Sequence, residues 1–411
     1  MTKRPIIAIL DIGKTNKKLF FFDEQYNVVF EKSEEFEETT DEDGDPCEDI
    51  DKLTAWVLAA VDFALNHAVF DVKIINFAAY GASFVLIGED GKPVAPLYNY
   101  LKPFPNELKE RFYQKYEGET IGRHSAGQHS TIAKQTASPV LGNLNSGMQL
   151  YRLKYAKPDI FNKVKYALHL PQYVSYLITK QAFSELTSIG CHTQLWDFEK
   201  NDYHNWVKNE KIDCILAPIV PSDKTTEMFF EGRKIKVGVG LHDSSAALIP
   251  YLMREDKPFV LISTGTWCIS LNPFNHNALT HEDLTKDCLC FMSYEGKSVK
   301  ASRIFAGNKH SVGLKQITKD SDGLLPTETI AYKKLIEEIV NEQVSSTKLV
   351  IEDNENIKTI FVDGGFAKND KYIQLLKISF PNIKIVAAEA AGWQSAQATA
   401  LGAALIYKNK P

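Results

Sequence analysis

An acidic residue and two lysines surround a turn near the start of the chain. The apolar run 6–10 ends at Asp11. The turn that follows contains Lys14 and Thr15, and Lys18 then precedes a second apolar run. A tight turn between strands exposes successive backbone N–H groups beside a hydroxyl, which suits a phosphate. Asp11 could hold Mg²⁺ through water, and either lysine could neutralise phosphate charge. An ordinary β-turn with surface lysines would leave the same pattern.

The same pattern returns far along the chain, in residues 259–271. An apolar run leads into Thr264, Gly265 and Thr266, and a second apolar run follows. This copy has two hydroxyls in its turn but no carboxylate. The repetition favours phosphate binding over an ordinary turn in both copies. It predicts a duplicated fold that holds one nucleotide between its halves.

A further candidate contact for a nucleotide lies at Gly364 and Gly365. The apolar run 359–362 leads into this glycine pair, and a helical pattern follows. Glycines let the backbone approach a ligand closely, and a helix N-terminus favours an anion. A plain strand-to-helix turn is the alternative. The position after the second hairpin fits the α-phosphate and adenosine end of a nucleotide.

A carboxylate with the right setting for proton transfer occurs at Asp243. It lies between a short apolar run and a helical segment of small residues that begins at Ser244. A carboxylate at such a turn could accept a proton from a hydroxyl that attacks a phosphoryl group. Asp243 could also simply cap the helix, and both roles are compatible. His242 could bond to a sugar hydroxyl, although a lone histidine is more often structural.

Size and composition limit the classes of protein to which the chain could belong. A length of 411 residues favours two domains. A net charge of −5 argues against nucleic acid as a partner. No apolar run approaches the roughly 20 residues that span a bilayer, so no membrane association is expected. Six scattered cysteines without a signal peptide indicate reduced thiols and a cytoplasmic protein.

The elements that must position these residues alternate between strands and helices in both halves, which predicts an α/β fold. We expect a domain boundary near residue 231, which gives domains 1–231 and 232–411. A strand is expected at 73–80, a hairpin at 83–98, and a helical region at 145–180 interrupted by prolines. The acidic run 31–45 is expected to be a solvated loop or sheet edge.

Taken in order, these motifs resemble the FGGY family of carbohydrate kinases, within the superfamily of sugar kinases, heat-shock-70 proteins and actin. The similarity covers nearly the whole chain. Residues 11–18 resemble the family's D-x-G-[TA]-[ST]-x-x-R opening, and residues 240–243 match the segment that holds its catalytic aspartate. Several details are similar to rhamnulokinases and fuculokinases. The resemblance implies two actin-like ATPase (ribonuclease H-like) domains with a cleft between them.

The resemblance also implies roles for individual residues. It implies Asp243 as the general base and Asp11 as a water-mediated Mg²⁺ ligand. ATP and its phosphates would be bound by Lys14, Thr15, Lys18, Thr264, Gly265, Thr266, Gly364, Gly365 and Asn369. The sugar would be bound by Gly81, Glu185, His242 and Asp243.

The chain departs from the family pattern at three places. Lys18 replaces the arginine of the opening motif, and Lys14 replaces a small residue. Residues 98–100 read Tyr-Asn-Tyr, where many members have an aspartate in third place. The amines could still reach the phosphates, but a lysine and an arginine differ in geometry. The missing aspartate removes a carboxylate from the expected sugar site.

The expected function is ATP- and Mg²⁺-dependent phosphorylation of a hydroxyl of a small sugar. The sugar would be a ketose or deoxyketose, such as rhamnulose, fuculose or a pentulose, bound mainly by the first domain. ATP would be bound mainly by the second domain. The alternative is a catalytically degenerate sugar-binding or regulatory protein of the actin-like fold. The oligomeric state is open, with a homodimer as one candidate.

Overall fold

The computed structural model describes residues 3–118, 130–320, 329–351, 356–388 and 397–408, and it contains two main β-sheets. Arg4–Ile12 is central in the first sheet, antiparallel to Asn16–Phe22 and parallel to Phe70–Ala79. The strands of this sheet are Arg4–Ile12, Asn16–Phe22, Val28–Glu35, Phe70–Ala79, Thr225–Phe230, Arg233–Gly238 and Leu241–His242.

The second sheet repeats the arrangement of the first. Phe259–Thr264 is antiparallel to Cys268–Asn272 and parallel to Thr359–Gly364. Its strands are Phe259–Thr264, Cys268–Asn272, Cys288–Met292, Ser298–Ile304, Thr359–Gly364 and Lys384–Ala387. Each half therefore has a hairpin, a third antiparallel strand beyond it, and a parallel strand on the opposite side of the first. The duplicated α/β fold predicted from the two hairpins is confirmed.

Helices cover both sheets and bury their strands. Phe20, Phe21 and Phe22 are all buried, because helices pack on one face of the first sheet and the C-terminal helix packs on the other. The α-helices are Ile50–Leu65, Asn106–Glu117, Thr131–Gln135, Ser146–Ala156, Pro158–Phe161, Leu170–Thr179, Leu186–Ile189, Asn205–Asn209, Asp243–Arg254, His281–Thr285, Ala306–Asp320, Ile330–Ile351, Asp370–Ser379 and Ala398–Leu405. Among the helices described, none is both long and apolar enough to span a membrane.

Short strands and 3₁₀ turns connect the longer elements. The short strands are Thr39–Thr40, Pro46–Glu48, Phe84–Ile87, Leu97–Tyr98, Tyr166–His169, Ser184–Glu185, Trp196–Asp197, Asp202–Tyr203 and Ile219–Val220. Single 3₁₀ turns occur at Gly142–Leu144, Asp213–Ile215 and Gly365–Lys368.

The boundary expected at residue 231 falls inside the first sheet. Arg233–Gly238 and Leu241–His242 both pair with Phe70–Ala79, so they belong to the first half of the molecule. The helix Asp243–Arg254 then packs against Ala398–Leu405 from the end of the chain. We infer that the first sheet unit extends at least to residue 242, whereas the helix Asp243–Arg254 packs against both sheets. The sequence also predicts a last helix at 391–407, and its part at 391–396 lies outside the described residues.

The local predictions between the sheets need two corrections. The turn of the expected hairpin forms, but Phe84–Ile87 pairs with Tyr166–His169, and Leu97–Tyr98 pairs with Pro46–Glu48. The region 145–180 breaks at both prolines as expected, but the strand Tyr166–His169 lies between its helices. These strands pair across long sequence separations, which periodicity within a short window does not detect.

The acidic run is only in part the solvated edge that was expected. Val28–Glu35 is exposed at its end, as an edge strand should be. Beyond it, Asp41 is buried against the ammonium group of Lys102, and Lys157 pairs with Asp43 at 2.8 Å. The acidic residues of this segment meet lysines and arginines that lie far away in the sequence.

Candidate active site

A cleft of about 420 Å³ lies where the two sheets approach each other. Both hairpin turns, the start of the helix Asp243–Arg254 and the Gly-Gly turn face it. The predicted residues that line it are Asp11, Lys14, Thr15, Gly81, His242, Asp243, Thr264, Gly265, Thr266, Gly364 and Gly365. The fold thus brings together residues that the sequence places in five separate segments.

Asp11 lies at the end of its strand, directly opposite Lys18 in the neighbouring strand. Burial and the nearby Asp243 carboxylate raise the pKa of Asp11 to about 7, although the Lys18 ammonium group opposes the shift. Two neighbouring carboxylates in a partly buried site are the kind of pair that a cation would stabilise. The residues described contain no cluster of three or more His, Cys, Asp or Glu for a metal. Asp11 and Asp243 supply carboxylate oxygens, the donor type that Mg²⁺ accepts while it keeps most of its water.

Asp243 is the first residue of its helix, and His242 precedes it as the N-cap. The Asp243 Oδ1 atom accepts a hydrogen bond from the Ser244 N–H at 2.6 Å, so it satisfies an N–H group of the first helical turn without occupying the N-cap position. The same oxygen lies 3.1 Å from His242 Nε2. Burial lowers the pKa of His242, so the ring is neutral at pH 7 and an Nε2–H tautomer would donate to Asp243.

Glu185 lies behind His242 and does not line the cleft. Its carboxylate is buried and accepts hydrogen bonds from the Thr187 N–H at 2.9 Å and the Thr187 hydroxyl at 2.6 Å. The Thr187 hydroxyl in turn accepts the His242 backbone N–H at 3.0 Å. Glu185 is therefore placed to hold His242 in position, and the structure does not bring its carboxylate to the cleft.

Gly81 lies against the other side of the His242 ring. A β-carbon at this position would come within 2.8 Å of His242 Cδ2 and Nε2, and within 3.0 Å of Cys191 Sγ. Cys191 Sγ also contacts His242 Nε2 at 3.0 Å. Residue 81 must therefore be small for the imidazole to reach Asp243.

The two lysines of the first hairpin both have carboxylate partners. Lys14 Nζ lies 2.7 Å from Glu38 and above the rings of Tyr80 and Tyr100. Lys18 Nζ lies 3.5 Å from Glu31 and is outside the residues that line the cleft. Lys14 is thus the lysine that the fold places at the cleft.

Thr264 connects the second hairpin to the Gly-Gly turn. Its hydroxyl donates to the Asp363 carbonyl and accepts the Phe366 N–H at 3.0 Å. Gly364 has a φ of +85°, and a β-carbon there would lie 1.9 Å from the Thr264 carbonyl oxygen. Only glycine permits this conformation and this approach together. Both hydrogen bonds of the Thr264 hydroxyl are thus made within the protein, whereas the Thr266 side chain is exposed at the tip of the turn.

A second cavity of about 990 Å³ continues from the Gly-Gly turn. Asn369 lies beside it, donates to the Tyr332 hydroxyl at 2.9 Å, and caps the helix Asp370–Ser379 by accepting the Tyr372 N–H. The cavity is lined by Thr15, Thr264, Gly265, Thr266, Gly307, Asn308, His310, Ser311, Tyr332, Gly365, Phe366, Lys368, Asn369, Asp370 and Lys371. Its size suits a small organic ligand.

Several residues of the cleft were missed by sequence reasoning. Tyr80, His192 and Phe291 carry no motif that would reveal them. Trp267 follows the second phosphate-type turn, and Arg303 lies on a neighbouring strand. Arg303 lies over the Trp267 ring, 4.7 Å from its centroid, and Asp287 holds its guanidinium. Tyr100, which replaces the family's carboxylate, also lines the cleft.

Comparison with known proteins is informative over most of the chain. The profile of the FGGY family of carbohydrate kinases, N-terminal domain, matches residues 6–249. A rhamnulokinase from Halalkalibacterium halodurans is 22% identical over 271 residues, which cover 63% of this chain and 54% of the relative. The match thus spans about half the length of this curated relative.

Solved structures match nearly the whole chain. A carbohydrate kinase from Novosphingobium aromaticivorans has a TM-score of 0.78 at 21% identity, covering 99% of this chain and 92% of that one. A ligand-bound xylulose kinase from Lactobacillus acidophilus has a TM-score of 0.79 at 14% identity, covering 98% and 88%. At these identities the likeness establishes the fold, with its two actin-like domains. Because the family profile covers residues 6–249 and the fold agrees along the chain, the chain belongs to the FGGY family of carbohydrate kinases.

Proposed function

We propose that the protein transfers the γ-phosphoryl group of ATP to a hydroxyl of a small sugar, a ketose or deoxyketose such as rhamnulose, fuculose or a pentulose. The observation that carries this proposal is the shared cleft. Asp243, the first hairpin and the second hairpin all line one cavity, although they are far apart in the sequence.

Asp243 acts as the general base in this proposal. The sugar hydroxyl oxygen attacks the γ-phosphorus, its proton passes to the Asp243 carboxylate, and ADP leaves. The neutral His242 ring orients that carboxylate from 3.1 Å away. Asp243 Oδ2 has no hydrogen bond among the described residues and is free to face the hydroxyl.

The nucleotide phosphates bind to the backbone N–H groups of the two turns and to Thr15, Thr266 and Lys14. Gly364 and Gly365 let the backbone approach the α-phosphate, and the second cavity takes the nucleoside. Mg²⁺, when bound, would be held through water by Asp11 and would neutralise phosphate charge. Aromatic side chains of Tyr80, Tyr100, Trp267 and Phe291 exclude water from the sugar side.

The test is the substitution Asp243→Asn, assayed as sugar-dependent ADP release with Mg²⁺ and a panel of ketoses, deoxyketoses and polyols. Loss of general-base catalysis predicts a decrease in turnover of about 10²-fold or more, with nucleotide affinity unchanged. Asp62→Asn, at an exposed position on the first helix, is the control and should keep full activity.

Unchanged turnover in Asp243→Asn would reject the proposed base. A second measurement, on the unmodified protein, distinguishes a kinase from a regulatory sugar-binding protein. If the unmodified protein binds a sugar of the panel but releases no ADP, the regulatory sugar-binding function is favoured. The replacement of the family's carboxylate by Tyr100 is the observation behind that second candidate.

A further inference from the structure

A buried ion pair lies directly beneath the first hairpin turn. The Lys17 side chain is 0% exposed, and its ammonium group lies 2.8 Å from Glu48 Oε1. The Phe36 ring covers the same ammonium group, with 5.0 Å between Nζ and the ring centroid. Neither charged side chain lines the cleft. In the family's opening motif, residue 17 occupies an unspecified position, so the motif assigns it no role.

Stability by itself does not explain this pair. Removing two charges from water is costly, and a well-packed apolar pair of similar volume is often as stable. The other contacts of the pair are more informative. Lys17 Nζ donates to the Lys14 carbonyl oxygen at 3.0 Å, and Glu48 Oε2 accepts the Tyr80 hydroxyl at 3.2 Å. Lys14 and Tyr80 both line the cleft.

The bond to the Lys14 carbonyl determines how one peptide group of the turn is oriented. In a trans peptide the C=O and the following N–H point in opposite directions. With the Lys14 carbonyl held inward by the ammonium group, the Thr15 N–H points away from the buried pair. Within the described residues this N–H has no hydrogen-bond acceptor. Thr15 lines both cavities, so its N–H is available to a ligand there.

We propose that Lys17 and Glu48 are positioning residues that hold the first hairpin turn in its phosphate-binding orientation and fix Tyr80 in the adjoining wall. The inference rests on the proposed function, because it takes the ligand of this turn to be a nucleotide phosphate. Lys17 neutralises no phosphate charge itself. It acts through the Lys14–Thr15 peptide group, whereas Lys14 is the amine at the cleft.

The experiment compares Lys17→Met with the double variant Lys17→Met, Glu48→Gln. The single variant leaves a buried carboxylate without its partner, so it should unfold at a lower temperature and bind MgADP more weakly. The double variant has no unpaired buried charge, so its unfolding temperature should recover. Its MgADP affinity, measured by calorimetry, should remain about tenfold weaker than that of the unmodified protein, as the loss of one oriented donor predicts. The KM for MgATP should increase by a similar factor.

Lys102→Met is the matched control. Lys102 is equally buried and pairs with Asp41 and with Asp43 at 2.8 Å, but its bonds do not reach the first hairpin turn. This variant should lose stability and keep its MgADP affinity.

A double variant that binds MgADP as tightly as the unmodified protein would overturn the inference. The inference is also overturned if the unfolding temperature of the double variant is as low as that of the single variant. The ion pair would then contribute to the stability of the fold. Failure of the unmodified protein to bind MgADP would instead reject the proposed function.

Discussion

At the scale of single residues, the position of the candidate base Asp243 depends on a series of hydrogen bonds that begins at the buried Glu185. Glu185 holds Thr187, Thr187 holds the backbone of His242, and the His242 ring reaches Asp243. The resemblance to the family placed Glu185 and Gly81 among the sugar contacts. In the structure both residues lie around His242. Glu185 supports its backbone through Thr187, and Gly81 packs against its ring.

The substitution Gly81→Ala tests whether the His242–Asp243 contact matters for turnover. The new methyl group would collide with the His242 ring, so the ring must move and its bond to Asp243 is lost. Misplacing a catalytic group in this way should lower kcat between about 10-fold and 10²-fold. Steady-state kinetics with the best sugar of the panel measures this effect, and the thermal unfolding midpoint shows whether the fold is kept. A kcat equal to that of the unmodified protein would mean that the His242–Asp243 contact has no part in turnover.

At the scale of elements, the two hairpins have the same backbone plan but are held in different ways. The turn of the first is held from beneath by Lys17, and the second is held by the Thr264 hydroxyl. In sequence the two threonines of the second turn look equivalent. The parallel pairing of Phe259–Thr264 with Thr359–Gly364 makes them different, because it places Thr264 beside Asp363 and the Gly-Gly turn.

Substituting each threonine by valine separates these roles. Thr264→Val leaves the buried Phe366 N–H without an acceptor, which should lower the free energy of unfolding by about 1–3 kcal/mol. Thr266→Val should leave the free energy of unfolding unchanged and weaken MgADP binding, because its hydroxyl is at the turn tip. Urea denaturation and calorimetric titration measure the two quantities. Equal effects of the two substitutions on stability would contradict the distinction.

At the scale of the whole molecule, ionic clusters outside the cleft lining join segments that are distant in sequence. Glu210 is buried and accepts hydrogen bonds from Lys115, Tyr116, Lys154 and Tyr155. Burial by itself raises the pKa of Glu210, but the bonds from Lys115 and Lys154 outweigh it and hold the pKa at about 2. The cluster ties three helices of the first half together.

The depressed pKa of Glu210 predicts a pH dependence of stability. Its contribution, at most about 3 kcal/mol, is present above the unfolded pKa of about 4.3 and is lost as the pH falls towards 2. The free energy of unfolding should therefore be lower in Glu210→Gln than in the unmodified protein at pH 7. This difference should shrink below about pH 4.3. Urea denaturation across this range measures it, with the exposed Glu199→Gln as control; a difference that is constant with pH would refute the role of the ionised carboxylate.

The sequence by itself determined the repeated hairpin, the α/β class and the order of the motifs. These are local signals, since a turn with glycine and threonine between two apolar runs is visible within one short window. It also led to Asp11, Asp243 and the glycine pair as the residues that face the cleft.

Only the tertiary structure decided what each of these residues touches. Contacts between distant segments pair Lys14 with Glu38 and bond the Thr264 hydroxyl to the Phe366 N–H. They also place Glu185 behind His242, outside the cleft lining. The first unit extends beyond residue 231, because the strand Arg233–Gly238 pairs with Phe70–Ala79, which lies far earlier in the chain. Such pairings depend on which apolar faces pack together, and this is a property of the whole fold.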